Sequence, residues 1–296
     1  MQSTGVQGNE VLSYIFGILA IVLNGVLLAS MYKERKKIFV TRISFLVANL
    51  AFADCLSGLF LIVLKQPIKE IEYTSDARLL TELPLIWTAF CASFLTLFLM
   101  AAERLVIVTL PLAWSTLLTI PRSLLCILAV WLLSIGGGVA IHHKRYYAQF
   151  FICLIVEISA LCFIATHIYI VWLLQRREKH RMVVNQNSSQ DTPCLPTPPN
   201  ENNTHTHRKV TIVVTILLSV LIVTCVPYFV CLQMFTINNT FDKTLAERVN
   251  LEIFDKALVY THAFLYVNFF MNPIIYAWRL RMYRKAFYSL VGRSTS

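Results

Sequence analysis

The chain has 296 residues and a formal net charge of +10; 57% of its residues are hydrophobic and only 14% are charged. Because soluble domains carry about 25% charged residues, this composition excludes an ordinary soluble domain. The basic residues lie between long apolar stretches, which favours membrane orientation over a nucleic-acid-binding face.

Seven apolar stretches are long enough to cross a bilayer, since a spanning helix needs about 20 mostly apolar residues. In chain order they cover roughly 11–31, 43–64, 84–108, 123–141, 150–174, 210–235 and 257–278. They are apolar all round rather than alternating, so helices are predicted and a transmembrane barrel is not. We therefore predict an all-α membrane protein, a seven-transmembrane helix bundle over 11–278.

The segments outside these stretches differ in character. Residues 1–10 are predicted to form a short extracellular N-terminus. Residues 182–206 are polar and contain several prolines, which predicts a disordered third intracellular loop. Residues 279–296 combine basic and aromatic side chains, so we expect a short amphipathic juxtamembrane helix followed by a short cytoplasmic tail.

The basic residues also indicate the orientation of the bundle. Of the 26 Lys and Arg residues, 18 fall on the C-terminal side of the predicted membrane and 8 on the N-terminal side. The excess predicts a cytoplasmic C-terminus and an N-terminus on the opposite, extracellular side of the membrane. Glycosylation sequons begin at Asn187, Asn202 and Asn238, and Asn238 alone lies on the predicted outer side, so it is the candidate glycan site.

Three acids, Asp54, Glu103 and Glu157, lie within predicted spans, and Arg104 adjoins the second. Each ionisable group costs about 2.5–3.5 kcal/mol on membrane-insertion scales, so all four are expected to face the bundle interior. Their roles stay open at this point, because such groups also serve as plain hydrogen bonds between helices.

A group of polar residues is predicted near the middle of the membrane, around the acid of segment two. Asp54 with Ser93, Asn268 and Asn272 could hold a sodium ion or a proton in a small hydrated cavity. No other metal or cofactor is expected.

One motif in each of several segments resembles a known family. The motifs are Leu23-Asn24-Gly25, Asn49 to Asp54, Glu103-Arg104-Leu105, Trp131, Cys225-Val226-Pro227 and Asn272-Pro273-Ile274-Ile275-Tyr276. In this order they resemble the rhodopsin-like (class A) G-protein-coupled receptors across nearly the whole chain.

The resemblance assigns roles to particular residues. It implies that Asp54, Ser93, Asn268 and Asn272 form the family's sodium pocket. It also implies that Glu103 holds Arg104 at rest and that Arg104 meets the G protein when the receptor is active. The predicted coupling and activation switch consists of Glu103, Arg104, Tyr169, Pro227, Asn272, Pro273 and Tyr276.

The chain departs from the family pattern at several places. Leu105 replaces the usual tyrosine, and Cys225 replaces the toggle tryptophan. Segment five has no proline, and the usual outer disulfide lacks its cysteines, which is similar to the melanocortin, cannabinoid and lysophospholipid receptor branch. Ile86 stands where amine receptors keep an aspartate and Tyr266 where opsins keep a lysine, so neither a typical monoamine nor retinal is expected.

A ligand pocket is predicted in the outer half of the bundle. Its candidate residues are Lys65, Trp87, Cys153, Glu157 and His262. The basic run 142–145 above them slightly favours a ligand with an acidic group, although solvated loop charge is the more common explanation of such a run.

The predicted function is transduction of an extracellular small-molecule, lipid or peptide ligand into activation of a heterotrimeric G protein. A constitutively active or ligand-independent receptor-like protein is the alternative, and a multi-pass transporter is a remote one. An enzyme is not expected, because the sequence offers no nucleophile–base or metal constellation.

Overall fold

The computed structural model describes residues 2–64, 75–110, 113–143, 145–188, 201–240 and 251–290. Almost every residue in these ranges is helical, and none is in a strand. The helices in chain order are α1 (Gln2–Lys33), α2 (Arg35–Ile38), α3 (Arg42–Leu64), α4 (Ser75–Thr109), α5 (Trp114–Leu117), α6 (Ile120–His143), α7 (Arg145–Ser188), α8 (Glu201–Thr240), α9 (Leu251–Arg279) and α10 (Arg281–Leu290).

Within the described residues, six helices are long and apolar enough to cross a membrane. The spans are Val11–Lys33, Arg42–Val63, Pro84–Thr109, Ile120–His143, Tyr146–Leu173 and Val210–Ile237. Helix α9 is the seventh long helix and contains the predicted segment 257–278. The predicted seven-helix membrane bundle is therefore confirmed as the fold class.

The helices close into a bundle whose interior holds an apolar core with a smaller set of buried polar side chains, and whose exterior is also apolar. Helix α1 packs on α3 and α9, α3 packs on α4, α4 packs on α6, and α8 packs on both α7 and α9. Leucine and isoleucine side chains of α6 and α7 remain exposed on the outside, where lipid would cover them. The buried polar side chains, including Asn24, Asp54, Ser93 and Asn272, lie in the interior instead.

Helices α1 and α3 approach closely at two glycines. A Cβ atom on Gly58 would lie 2.8 Å from the carbonyl oxygen of Gly17 and 2.9 Å from Cβ of Ala20. Small residues permit this approach because helices in lipid associate through close packing rather than through the hydrophobic effect. Gly25, further along α1, has open space around its Cα.

The predicted disorder of 182–206 needs correction at both ends. Helix α7 continues to Ser188 and α8 already begins at Glu201, so both flanks of the segment are helical. Each long helix is already nucleated within the membrane, and adding residues to it costs little compared with starting a new helix. Residues 189–200 lie outside the described residues.

Helix α10 forms the short amphipathic helix expected after the bundle. Tyr283 and Ala286 are buried against the bundle, while the basic side chains of Arg281, Arg284 and Lys285 are exposed. Lys33 Nζ donates a hydrogen bond to the carbonyl oxygen of Ser289 at 2.5 Å, which ties the end of α1 to α10.

The two ends of the bundle carry different residues. The Arg104 end contains Arg104, the end of α1 and α10. The Trp87 end is the opposite one, and Trp87 and Arg104 are about 26 Å apart along α4 at 1.5 Å per residue.

Candidate functional site

A buried carboxylate joins three helices in the middle of the bundle. Asp54 of α3 is 0% exposed. Ser93 Oγ of α4 donates to Asp54 Oδ1 at 2.7 Å, and Asn272 Nδ2 of α9 donates to Asp54 Oδ2 at 2.6 Å. The structure thus brings together three of the four residues predicted for the sodium pocket.

The fourth residue, Asn268, lies one turn from Asn272 on the same face of α9. Neither amide atom of Asn268 has a hydrogen-bond partner among the described residues, and the Oδ1 atoms of Asn272 and Asn24 also have none. Asn24 Nδ2 donates to the carbonyl oxygens of Ala20 and Phe269 at 2.9 and 2.7 Å. Three buried amide oxygens therefore retain unused acceptor capacity near the Asp54 level, which is unusual because buried polar atoms normally have partners.

A second buried charge cluster occupies the Arg104 end. Arg104 is 4% exposed, and its Nη2 atom donates to Glu103 Oε2 at 2.9 Å. Glu103 Oε1 also lies 3.4 Å from Nε of Arg42, the first residue of α3. Arg42 Nη1 further donates to the carbonyl oxygen of Leu118, between α5 and α6. One carboxylate is thus shared by two guanidinium groups, and Arg104 Nε has no partner in the described part of the chain.

In the sequence, Arg42 is only one of the 18 Lys and Arg residues on the C-terminal side of the predicted membrane. A usable signal existed, because a cation at the N-terminus of a helix opposes the helix dipole and requires a compensating partner. The identity of that partner follows only from the packing of α3 on α4.

The two tyrosines of the predicted switch differ in placement. Tyr276 is buried, its hydroxyl donates to Met100 Sδ at 3.8 Å, and its ring lies 5.6 Å from that of Tyr283. Tyr169 is 45% exposed and stacks on Trp172, with ring centroids 6.0 Å apart. The structure therefore brings Tyr276 into the bundle interior and leaves Tyr169 on the outer surface of α7.

The two prolines of the predicted switch both lie inside helices. Pro227 interrupts the hydrogen-bond ladder of α8, and Pro273 interrupts that of α9 directly after Asn272. Proline removes a backbone donor and clashes with the preceding turn, so each helix has a weakened point at this position.

Another polar chain links three helices near Asp54. Trp131 Nε1 of α6 donates to Asn49 Oδ1 of α3 at 2.9 Å, and Asn49 Nδ2 donates to Thr96 Oγ1 of α4 at 2.7 Å. Each of these polar atoms is satisfied, so this chain stabilises the packing of α3, α4 and α6.

The Trp87 end contains a buried aromatic cluster. The Trp87 ring centroid lies 6.1 Å from that of Phe90 and 5.9 Å from that of Phe229, which itself lies 5.3 Å from Phe90. Cys225 is buried one turn below Phe229 on α8, at the place where the family resemblance implies a tryptophan. The sequence did not single out Phe229, since nothing distinguishes it from other apolar residues of its segment.

The remaining predicted pocket residues that the structure describes lie on two helices, α7 and α9. His262 Nε2 lies 2.7 Å from the hydroxyl of Tyr266, and its ring lies 5.4 Å from that of Tyr228. Cys153 is fully buried and Glu157 half-buried on α7. Lys65 lies outside the described residues, and the side chain of the candidate glycan site Asn238 lies outside them too.

Comparison with protein-family models matches residues 23–149 to the family described as 7 transmembrane receptor (rhodopsin family). The matched region is somewhat less than half of the chain and contains Asn24, Asp54, Glu103, Arg104 and Trp131. A search of curated proteins found no match. The fold defines a multi-pass membrane protein, and together with this match it supports a receptor of the rhodopsin-like, G-protein-coupled class.

Proposed function

We propose that the chain transduces an extracellular ligand into activation of a heterotrimeric G protein. The observation that carries this proposal is the buried Glu103–Arg104 pair at one end of α4, whose other end carries the aromatic cluster of Trp87. Removing charges from water costs several kcal/mol per ion, so an almost fully buried pair is poorly explained by stability alone. Separation of the pair would expose an arginine able to bind a partner protein.

The orientation that this function requires has support from the distribution of charge. The Arg104 end carries the exposed basic face of α10, formed by Arg281, Arg284 and Lys285. An excess of basic residues marks the cytoplasmic side of membrane proteins. We therefore place the Arg104 end in the cytoplasm and the Trp87 end outside the cell, in the plasma membrane.

Movement of α8 and α9 would connect the two ends. The weakened points at Pro227 and Pro273 lie between the aromatic cluster and the Arg104 end. A ligand that binds better to a state with displaced helices shifts the population toward that state. In that state Tyr276 would leave Met100, and Tyr169 would turn from the surface of α7 toward Arg104.

Sodium is proposed as an allosteric ion at Asp54. The carboxylate supplies the charge, and the hydroxyl of Ser93 and the amide oxygens of Asn268 and Asn272 supply neutral oxygen ligands. Two of these oxygens are buried and have no donor among the described residues, so they are available to coordinate a cation. A bound cation would stabilise the arrangement in which α3, α4 and α9 converge.

Placement within the rhodopsin-like receptors is also a proposal. Helix α6 ends at His143 and α7 begins at Arg145, so the connection between them is extremely short. Helix α7 has no proline, and the cysteines of the usual outer disulfide are missing from the sequence. These features support the melanocortin, cannabinoid and lysophospholipid branch.

Nucleotide exchange tests the proposed function. Membranes containing the receptor are mixed with purified heterotrimers of each G-protein class, and exchange is followed with and without a library of lipids, peptides and small molecules. We expect at least one heterotrimer to exchange nucleotide faster in receptor membranes and at least one library member to accelerate exchange further. Exchange equal to that of receptor-free membranes under every condition would contradict the proposal.

A further inference from the structure

Glu157 is an acid within the membrane-spanning part of α7. It is half-buried and adjoins the fully buried Cys153, whereas Ile155 and Ile158 on either side of it face outward. A carboxylate at this depth is costly unless another group compensates its charge. The groups around Glu157 therefore indicate whether the protein itself or a bound ligand neutralises the carboxylate.

The described partner of this carboxylate is the amide of Gln233 on α8. One terminal atom of the amide lies 2.5 Å from Glu157 Oε1 and 2.6 Å from Oε2. Because an ionised carboxylate can only accept hydrogen bonds, this atom is the amide nitrogen. The amide fixes the position of the carboxylate but adds no positive charge.

No lysine or arginine in the described part of the chain forms an ion pair with Glu157. The ion pairs there, Lys37–Glu34, Arg42–Glu103 and Arg104–Glu103, all lie at the Arg104 end. The Gln233 amide therefore positions the Glu157 carboxylate, and no described cation neutralises its negative charge.

An aromatic cluster lies one helical turn from the carboxylate. Gln233 and Phe229 are four residues apart and share one face of α8, so the Glu157–Gln233 pair lies about 6 Å, one helical turn, outward of the aromatic cluster. The rings of Trp87 and Phe90 contact Phe229 in that cluster. An acid one turn away from aromatic rings suits a hydrophobic cation, because ring faces also attract positive charge.

We propose that Glu157 and Gln233 form the charged subsite of the ligand pocket and that the ligand is a hydrophobic cation. Its ammonium or guanidinium group pairs with the Glu157 carboxylate, and its apolar body lies against Phe229 and Trp87. This inference rests on the proposed receptor function and reverses the acidic ligand expected from the basic run 142–145, whose histidines His142 and His143 are solvent-exposed.

Cysteine modification tests this subsite without a known ligand. In Gln233→Cys, the full-length receptor in cells is treated with 2-aminoethyl methanethiosulfonate, a cation, or with 2-sulfonatoethyl methanethiosulfonate, an anion. The modification rate measured with the unmodified receptor is subtracted to remove the contribution of the native cysteines. Each rate is then divided by the rate at which the same reagent modifies a free thiol in solution. We expect a normalised preference for the cation on the order of tenfold or more, since unit charges a few ångströms apart interact strongly at a partly buried site. Adding Glu157→Gln should remove the preference.

Protection from modification tests the ligand class. Phenethylammonium should slow the reaction of Gln233→Cys, whereas 3-phenylpropionate, with the same ring and the opposite charge, should leave the rate unchanged. The proposal would be overturned if the two reagents reacted with the cysteine at equal rates or if the cysteine did not react. It would also be overturned if the two compounds protected the cysteine equally or if neither protected it. Because the assay involves no G protein, these results are independent of whether nucleotide exchange supports the receptor function.

Discussion

Replacing Asp54 by asparagine separates the charge of the central carboxylate from its hydrogen bonds. Asp54 accepts one bond from Ser93 and one from Asn272, whose own Oδ1 has no described partner. If the Asn272 amide rotates by 180°, its Oδ1 can accept from the nitrogen of the new amide, while the new oxygen still accepts from Ser93. Asp54→Asn should therefore keep both bonds, whereas Asp54→Ala leaves two buried donors unpaired at about 1–3 kcal/mol each.

The magnitude of the sodium effect follows from linkage. An ion that binds only the folded state at ten times its dissociation constant stabilises that state by about 1.4 kcal/mol. For a chain of this size such a change raises the unfolding midpoint by about 2 °C. We expect this rise in the unmodified receptor when NaCl replaces choline chloride at constant ionic strength, and none in Asp54→Asn.

The assay measures the thermal unfolding midpoint of the purified receptor in lipid nanodiscs, once in NaCl and once in choline chloride. Ser57→Ala is the matched control, because Ser57 is buried one turn along α3 and, among the described residues, bonds to the carbonyl oxygen of Ala53 within its own helix. The control should retain the sodium effect. Equal midpoints in the two salts for the unmodified receptor, or a sodium effect that persists in Asp54→Asn, would refute the reasoning.

Three further predictions concern packing, resting state and topology. Gly58→Ala should destabilise the receptor by about 1–3 kcal/mol in thermal unfolding, because the added methyl group would overlap the backbone of α1, whereas Gly25→Ala should be neutral or slightly stabilising. Arg42→Gln should lower basal nucleotide exchange several-fold, since the shared carboxylate would then pair with one arginine only and hold the resting state more firmly, while the exposed control Lys36→Gln should not. Any glycan removed by an endoglycosidase should disappear in Asn238→Gln.

Each of these predictions has an outcome that would count against it. Equal destabilisation by the two glycine substitutions would show that the close approach of α1 and α3 does not limit packing. Unchanged or raised basal exchange in Arg42→Gln would show that this arginine does not compete for Glu103. A glycan attached at Asn187 or Asn202 would invert the proposed topology.

Hydropathy was sufficient to predict the fold, because every spanning helix must satisfy its backbone internally and bury an apolar length that the bilayer determines. The ends of α7 and α8 were not predictable in the same way. Once the chain leaves the membrane, polar residues such as those after 182 are compatible with either a loop or a continued helix, and hydropathy does not distinguish the two.

The central polar residues could be selected from the sequence because Asp54 and the asparagines of α9 are exceptional in an apolar segment. Contacts that depend on the rotation of one helix against another could not be predicted from the sequence. Arg42 lies 61 residues before Glu103 in the sequence, and Gln233 resembles any polar residue near a membrane surface until α7 is packed on α8. The outward position of Tyr169 likewise depends on the rotation of α7.

Arg104→Ala in the nucleotide-exchange assay tests the central claim most directly. The substitution removes the guanidinium proposed to bind the G protein, and Arg281→Ala removes an exposed arginine of α10 at the same end of the bundle. With surface expression of both variants close to that of the unmodified receptor, we predict that Arg104→Ala loses receptor-dependent exchange and that Arg281→Ala retains it. Receptor-dependent exchange that persists at the unmodified level in Arg104→Ala would contradict the account.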